Sequence, residues 1–224
     1  SYDNQGRVWS SSPIGKTVIF DPKDETTHIV TNDSGDDIRA NAIRYDGTGT
    51  MLLGSVYGLW SYNLKNGTCS VSFGNKRNSQ QWMNQMVTDV SIDRQKELMM
   101  LLHPDGVTIY DIKRDTLSYI KRTNDIIKGM ARDNDGTYWV CTSSGTVMGI
   151  RPQRHTGGLE LIRRSFRPNV GIPQFYFNGD AMTCSAQGEI LMGGTEGYMS
   201  INPHQLMATK TEEYGLIISE IAVG

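Results

Sequence analysis

Apolar residues in this chain arrive in short unbroken runs, each set between polar turns. Met51-Leu52-Leu53, Leu98 to Leu102, Tyr138 to Cys141 and Ile190-Leu191-Met192 are such runs. Runs of this length bounded by turn residues read as strands, and no segment holds a helical period for long. Each is followed, after a tight turn, by a second run: Leu59 to Tyr62, Val107 to Tyr110, Val147 to Ile150 and Tyr198 to Ile201. A fifth copy, Asp3 to Pro22, has Val8-Trp9 before its turn and Val18-Ile19-Phe20 after it. The glycines that open the second strands fall at Gly15, Gly58, Gly106, Gly145 and Gly197, in steps of 39 to 52 residues. Strand pairs recurring about every 40–50 residues mark propeller blades, whereas solenoid units are mostly shorter and usually helical. The pattern predicts an all-β fold over residues 1–208, a β-propeller with about five recognisable four-stranded blades.

The runs are nearly continuous rather than alternating, as expected of strands covered on both faces by neighbouring blades. Asp-x-x-Gly and Asp-Gly turns ahead of them supply the left-handed backbone that hairpins need. Gly54, Gly193 and Gly194 are expected where adjacent backbones approach closely, and Trp9, Leu98, Trp139 and Leu191 where the wedge between blades needs filling. The other elements follow in order. Residues 23–41 read as a polar connection with its tip at 32–37, and Ala42 to Tyr45 as an innermost strand. Cys69 to Phe73 is an outer strand feeding a polar loop over 74–85. Val87 to Ile92 opens the third blade and Leu117 to Lys121 closes it. Ile126 to Arg132 opens the fourth, and Leu159 to Phe166 is its outer strand. A second long loop, 167–179, precedes Ala181 to Ala186 at the start of the last blade. His204 to Ala208 is a helical turn. Residues 209–224 are expected to be a linker and the first strand of a further domain, cut short. The first blade has almost nothing ahead of it to serve as innermost strand.

Composition narrows the functions. The 224 residues suffice for one large β domain, one that buries roughly 70% of its unfolded surface. Formal net charge is −2, so no basic footprint suggests nucleic acid or anionic lipid. The longest apolar run falls far short of the ~20 residues a membrane span needs. Membrane contact is therefore expected only through segments beyond this stretch. The chain begins Ser1-Tyr2-Asp3, with neither Met nor signal peptide, and reads as an internal piece of a longer protein. Cys69, Cys141 and Cys184 are too few and too dispersed for a disulfide framework or a zinc site. Cys141 and Cys184 sit in apolar runs and read as small core residues.

No catalytic signature is present, and no catalytic residue, cofactor or metal is expected. Asp133-Asn134-Asp135-Gly136 starts like a calcium loop but lacks the later acidic ligands. A propeller binds its ligands where the loops between blades meet the turns between second and third strands. On that face the candidate ligand residues are Tyr57, Arg77, Trp82, Asn84, Gln85, His103, Phe175, Tyr176 and Asn178. Aromatic rings beside amide and guanidinium donors suit a sugar, with its apolar C–H face and hydroxyl rim. The same aromatics would also serve simply to hold the loops onto the blades. Two other readings stay open. A propeller lyase or glycan-active enzyme would need a His–acid pair on this face, for which His103 with Asp105 is the candidate. A protein-docking scaffold is the third.

Phe177-Asn178, then Gly188-Glu-Ile-Leu-Met-Gly-Gly-Thr-Glu-Gly, then Ile201-Asn202-Pro203 carry a family resemblance. The chain resembles the regulator-propeller repeats in the periplasmic sensor half of hybrid two-component systems, common in gut Bacteroides-type bacteria. The last copy is similar to the closing blade of that family's second propeller. The tail, with Ile218, Glu220, Ile221, Val223 and Gly224, resembles the start of its immunoglobulin-like Y-Y-Y domain. Earlier copies are degenerate: Asp93 to Leu102 lacks both the Trp and the Gly-Thr. The resemblance implies a periplasmic, non-enzymatic sensor for an oligosaccharide or other small molecule, regulating glycan-utilisation genes through a histidine kinase and a DNA-binding output domain. It also implies a homodimer in the full-length protein and a complete propeller of roughly seven blades.

Overall fold

A computed structural model of the chain describes residues 1–11, 15–71, 85–95, 97–114, 116–121, 125–156, 158–168 and 171–208. Five sheets follow one another along the described chain. The first holds β1 (Val8–Ser10), β2 (Val18–Asp21) and β3 (Thr26–Ile29). The second holds β4 (Ala40–Tyr45), β5 (Thr50–Ser55), β6 (Gly58–Asn63) and β7 (Cys69–Val71). The third holds β8 (Asp89–Asp93), β9 (Leu98–His103), β10 (Gly106–Asp111) and β11 (Thr116–Lys121). The fourth holds β12 (Ile127–Arg132), β13 (Tyr138–Thr142), β14 (Val147–His155), β15 (Gly158–Pro168) and the short β16 (Gly171–Ile172). The fifth holds β17 (Phe177–Cys184), β18 (Ile190–Gly194) and β19 (Gly197–Ile201), and α1 (Pro203–Ala208) follows. Neighbouring strands pair antiparallel in chain order, and β16 alone adds in parallel, to β15.

Four hydrophobic slabs lie between these five sheets, and strand alternation assigns each residue to its slab. In β9, Leu98, Met100 and Leu102 join the fourth blade, against Tyr138, Val140 and Met148. Met99 and Leu101 of the same strand join the second blade, against Leu52 and Leu59. In β13 the odd–even split repeats, with Trp139 and Cys141 facing Ile190 and Met192 of the fifth blade. Trp9 and Ile19 meet Met51 and Leu53 between the first two blades. Covering both faces is why these strands are uniformly apolar. Each fully buried Leu or Met in a slab contributes about 1.5–3 kcal/mol. Close approach is built in at Gly54, where an added Cβ would lie 2.8 Å from Val87 Cγ1 of the next blade.

Polar groups tie the blades together as well. Asp46 is bonded to Arg94, Asp93 to Arg132 at 2.5 Å, and Asp111 to Arg154 at 2.5 Å, each pair spanning successive blades. The three carboxylate side chains are nearly buried while their guanidinium partners are 30–46% exposed, so each pair is only partly shielded from solvent.

Several expectations needed correction. Residues 23–41 are not one connection: β3 lies within them, and its side chains are exposed or half-buried, so no apolar pattern marked it. The loop expected over 167–179 contains β16, and β17 starts at Phe177. Among the described residues the second and third sheets are four-stranded as expected, the first and last have three strands, and the fourth has five, the fifth being the two-residue β16. Ahead of β1 only Tyr2 bridges to Val8, while Ser1 and Trp9 exchange backbone bonds. Leu191 is half-buried on the face of β18 turned away from the fourth blade, so it fills no wedge there. The strand expected near Leu216 to Gly224 lies outside the described residues. Among the described residues no helix is long and apolar enough to cross a membrane.

Candidate functional site

Antiparallel order places the turns between first and second strands on one face, and those between second and third strands on the other. The first face is occupied by structural carboxylates. Asp133 Oδ1 accepts the amides of Asp135 and Thr137, and its Oδ2 accepts Trp139 Nε1 at 2.8 Å. Asp3 does the same for Gln5, Arg7 and Trp9. Asp46 caps Thr48 and Thr50. Burial raises the Asp46 carboxyl, but the Thr48 and Thr50 amides, the Thr48 hydroxyl and Arg94 outweigh it and hold it below its ordinary value.

The opposite face carries a groove of about 520 Å³ between the loop joining the first two blades and the β5–β6 turn. Its walls are Asn32, Asp36, Asp37, Ile38 and Arg39 on one side, and Ser55, Val56, Tyr57 and Trp60 on the other. The 32–36 loop is shaped by Asn32, whose Oδ1 accepts the amides of Ser34 and Asp36. Ser55 fixes the turn: its hydroxyl donates to Gly58 O and accepts from Tyr57 N and Trp60 Nε1. Tyr57, 72% exposed, therefore projects from a fixed backbone, with the half-buried Trp60 ring beside it. Lys16 pairs with Asp37 at 2.8 Å on the rim. A flat aromatic surface next to carboxylates, an amide and a guanidinium can hold a polyhydroxylated ring.

The other candidates are dispersed. Arg77, Trp82 and Asn84 lie outside the described residues. Gln85 is half-buried and its buried Oε1 has no hydrogen-bond partner among the described residues. His103 is 2% exposed, with Nδ1 against Met86 O at 2.9 Å and Nε2 against Thr108 Oγ1 at 2.8 Å. Burial pushes its pKa down, more than the Met86 carbonyl and Asp105 push it up. Both nitrogens serve the fold and the ring is buried, so His103 is closed to a solvent-borne ligand. Phe175 packs on Phe177 with ring centroids 5.2 Å apart, while Tyr176 is 61% exposed and Asn178 exposed. These three gather where the fourth blade meets the fifth, and none of them lines the groove at Tyr57. Ser143 and Ser144, in the turn of the fourth blade, spend their hydroxyls on Asp125.

Sequence reading missed Trp60, Arg39 and the 32–37 loop as walls of one groove. It also missed a cavity along the inner strands, lined by Arg44 and Tyr45 of β4, Asp89 to Ile92 of β8, Met130 to Arg132 of β12 and Met182 to Cys184 of β17. Arg44 pairs there with Asp89 at 2.8 Å. The only sequence signal was a charge inside each of two otherwise half-apolar inner strands. Among the described residues no group of three or more His, Cys, Asp or Glu is placed to hold a metal ion.

No family model matches the sequence, and no curated protein matches it. Solved structures do. The extracellular domain of the BT4673 hybrid two-component system from B. thetaiotaomicron superposes with TM-score 0.61 at 16% identity, covering 88% of this chain and 26% of that one. The corresponding domain of the BT3049 system from the same organism gives 0.52 at 12% identity, covering 92% of this chain and 33% of that one. A gluconolactonase gives 0.55 at 13% identity, covering 84% of this chain and 67% of that one. The chain thus spans about a quarter to a third of the sensor ectodomains. At 12–16% identity these likenesses speak to the fold: the chain is a β-propeller, similar to the extracellular domains of hybrid two-component systems.

Proposed function

We propose that this chain is an extracytoplasmic, periplasmic ligand-sensing module of a hybrid two-component signalling protein. It binds the end of an oligosaccharide and passes the binding event through the rest of the parent protein, as a homodimer, to the transcription of glycan-utilisation genes. The observation that carries this reading is the groove on the loop face, where Tyr57 and Trp60 stand beside Arg39, Asp36 and Asn32. The likeness to sensor ectodomains supports it, and the engagement of both His103 nitrogens disfavours a His-based lyase. Calorimetric titration against a panel of oligosaccharides, with the products analysed, tests it. Saturable binding without turnover is expected, weakened about tenfold or more (about 1.4 kcal/mol) by Tyr57→Ala at unchanged stability. Turnover of the ligand, or equal affinity in the Tyr57→Ala chain, refutes it.

A further inference from the structure

We propose that Asn178 is a site of spontaneous covalent modification, where the folded chain converts the side-chain amide to a carboxylate through a cyclic imide. The chain contains two Asn-Gly pairs, Asn66-Gly67 and Asn178-Gly179. In such a pair the second residue has no side chain to hinder attack of its backbone nitrogen on the asparagine Cγ. The bond formed joins the glycine nitrogen to Cγ, and the bond broken is Cγ–Nδ2. The proton of the attacking amide leaves with the departing nitrogen as ammonia. Water then opens the imide at either carbonyl, giving aspartate or an isoaspartyl linkage, and nothing is oxidised or reduced.

The two pairs are alike in sequence and differ in what holds them. Asn178 and Gly179 are both exposed, in the irregular part of β17. Phe177 pairs with Gly194 and Met182 with Met192, so residues 178–181 stand opposite Gly193 alone and Gly179 has no partner in the register of β18. In a regular ladder, turning a backbone amide toward the preceding side chain breaks a hydrogen bond. In a bulge the extra residues are unpaired, so no ladder bond has to break. A Cβ built on Gly179 meets no atom within 4 Å, which leaves the ring room to close. Asn66-Gly67 is exposed too, but both of its reacting groups are tied. Gly67 N donates to Asn63 O at 2.9 Å. Asn66 Oδ1 accepts the Thr68 amide at 3.1 Å and the Thr68 hydroxyl at 2.8 Å. The nitrogen must leave Asn63 and the carboxamide must leave Thr68 before an imide forms there. At 178 the change replaces two amide donors with a carboxylate that only accepts. It falls where the fourth blade meets the fifth, next to the buried Phe177.

The test holds the folded chain at mildly alkaline pH and samples it over time, with a parallel incubation in guanidinium chloride. Peptide mass spectrometry locates the new acid, and labelling by protein isoaspartyl methyltransferase reports the isoaspartyl form. In the folded chain position 178 is expected to convert about tenfold or more faster than position 66, a difference of about 1.4 kcal/mol in barrier. In denaturant the two are expected to convert at similar rates, because the contacts that separate them are gone. Gly179→Ala, placed where a Cβ meets open space, is expected to keep the melting temperature and to slow conversion at 178. No conversion at 178 in the folded chain, conversion at 66 as fast as at 178, the same preference persisting in denaturant, or an unchanged rate in Gly179→Ala overturns the proposal.

Discussion

Replacing Asp133 by Ala removes a carboxylate that is 5% exposed and accepts three hydrogen bonds. Two of its donors, Thr137 N and Trp139 Nε1, belong to residues with no measurable exposure, so bulk water does not reach them in the parent chain. A buried donor left unsatisfied costs about 1–3 kcal/mol, and bonds to a charged acceptor lie toward the upper end. Two such donors set the expected loss at about 3–5 kcal/mol, against the ~5–15 kcal/mol that hold a typical domain. For a chain of this size each kcal/mol lowers the midpoint by about 2–4 °C, so Asp133→Ala should melt roughly 6–20 °C below the parent. Urea denaturation at constant m-value gives the free energy directly. The internal control is Trp139→Phe, which keeps most of the ring and removes its donor. In the double variant the Trp139 donor is no longer orphaned, so the two losses should fail to add by about 1–2 kcal/mol. A loss under about 1 kcal/mol for Asp133→Ala, or strict additivity with Trp139→Phe, would refute the view that these turns are held by buried carboxylates.

Three further outcomes follow from particular contacts. Gly194→Ala would set a Cβ 2.3 Å from Phe175 Cε1 and 2.5 Å from Tyr176 O, and a backbone atom cannot step aside cheaply. It should cost about 1–3 kcal/mol and change the near-ultraviolet signal of the 175–177 aromatics, and a neutral result would contradict this packing. Burial pushes the Cys141 thiol to about 12 and the Cys69 thiol to about 11, so both should resist thiol reagents in the native chain at pH 8 and react on unfolding. Asp111 is raised by burial, but bonds from Arg154 and the Arg114 amide outweigh this and hold it below 3.8. A depressed folded value gives stability that is present above the unfolded value and lost as pH falls through the folded one. Asp111→Asn should therefore be less stable than the parent at pH 7 and lose less stability on acidification below about pH 4; parallel pH profiles would speak against it.

The candidate site was only partly legible. Tyr57 stood out as an aromatic in a polar turn, and the structure leaves it exposed on a fixed backbone. Trp60, three residues on, was read as one more strand residue, because the groove that gives it a role needs the 32–39 loop as its other wall. His103 was misjudged for a related reason. A histidine next to a Pro-Asp turn resembles a surface residue, and only the arrival of Met86 O and Thr108 on its two nitrogens shows that it is internal. The strand β3 escaped notice because an edge strand with exposed side chains has no apolar pattern to read.

By itself the sequence determined the blades: uniformly apolar runs, Gly-marked turns and their spacing are local properties, and a strand covered on both faces must be apolar at every position. Tertiary structure alone decided the polar contacts that join blades, such as Asp46 with Arg94 and Asp93 with Arg132, 48 and 39 residues apart. It alone brought Arg44, Asp89 and Asp180 to one cavity. The physical reason is that burial of apolar area has no direction and can be read strand by strand, whereas a hydrogen bond or ion pair depends on where the angle between blades brings two distant side chains.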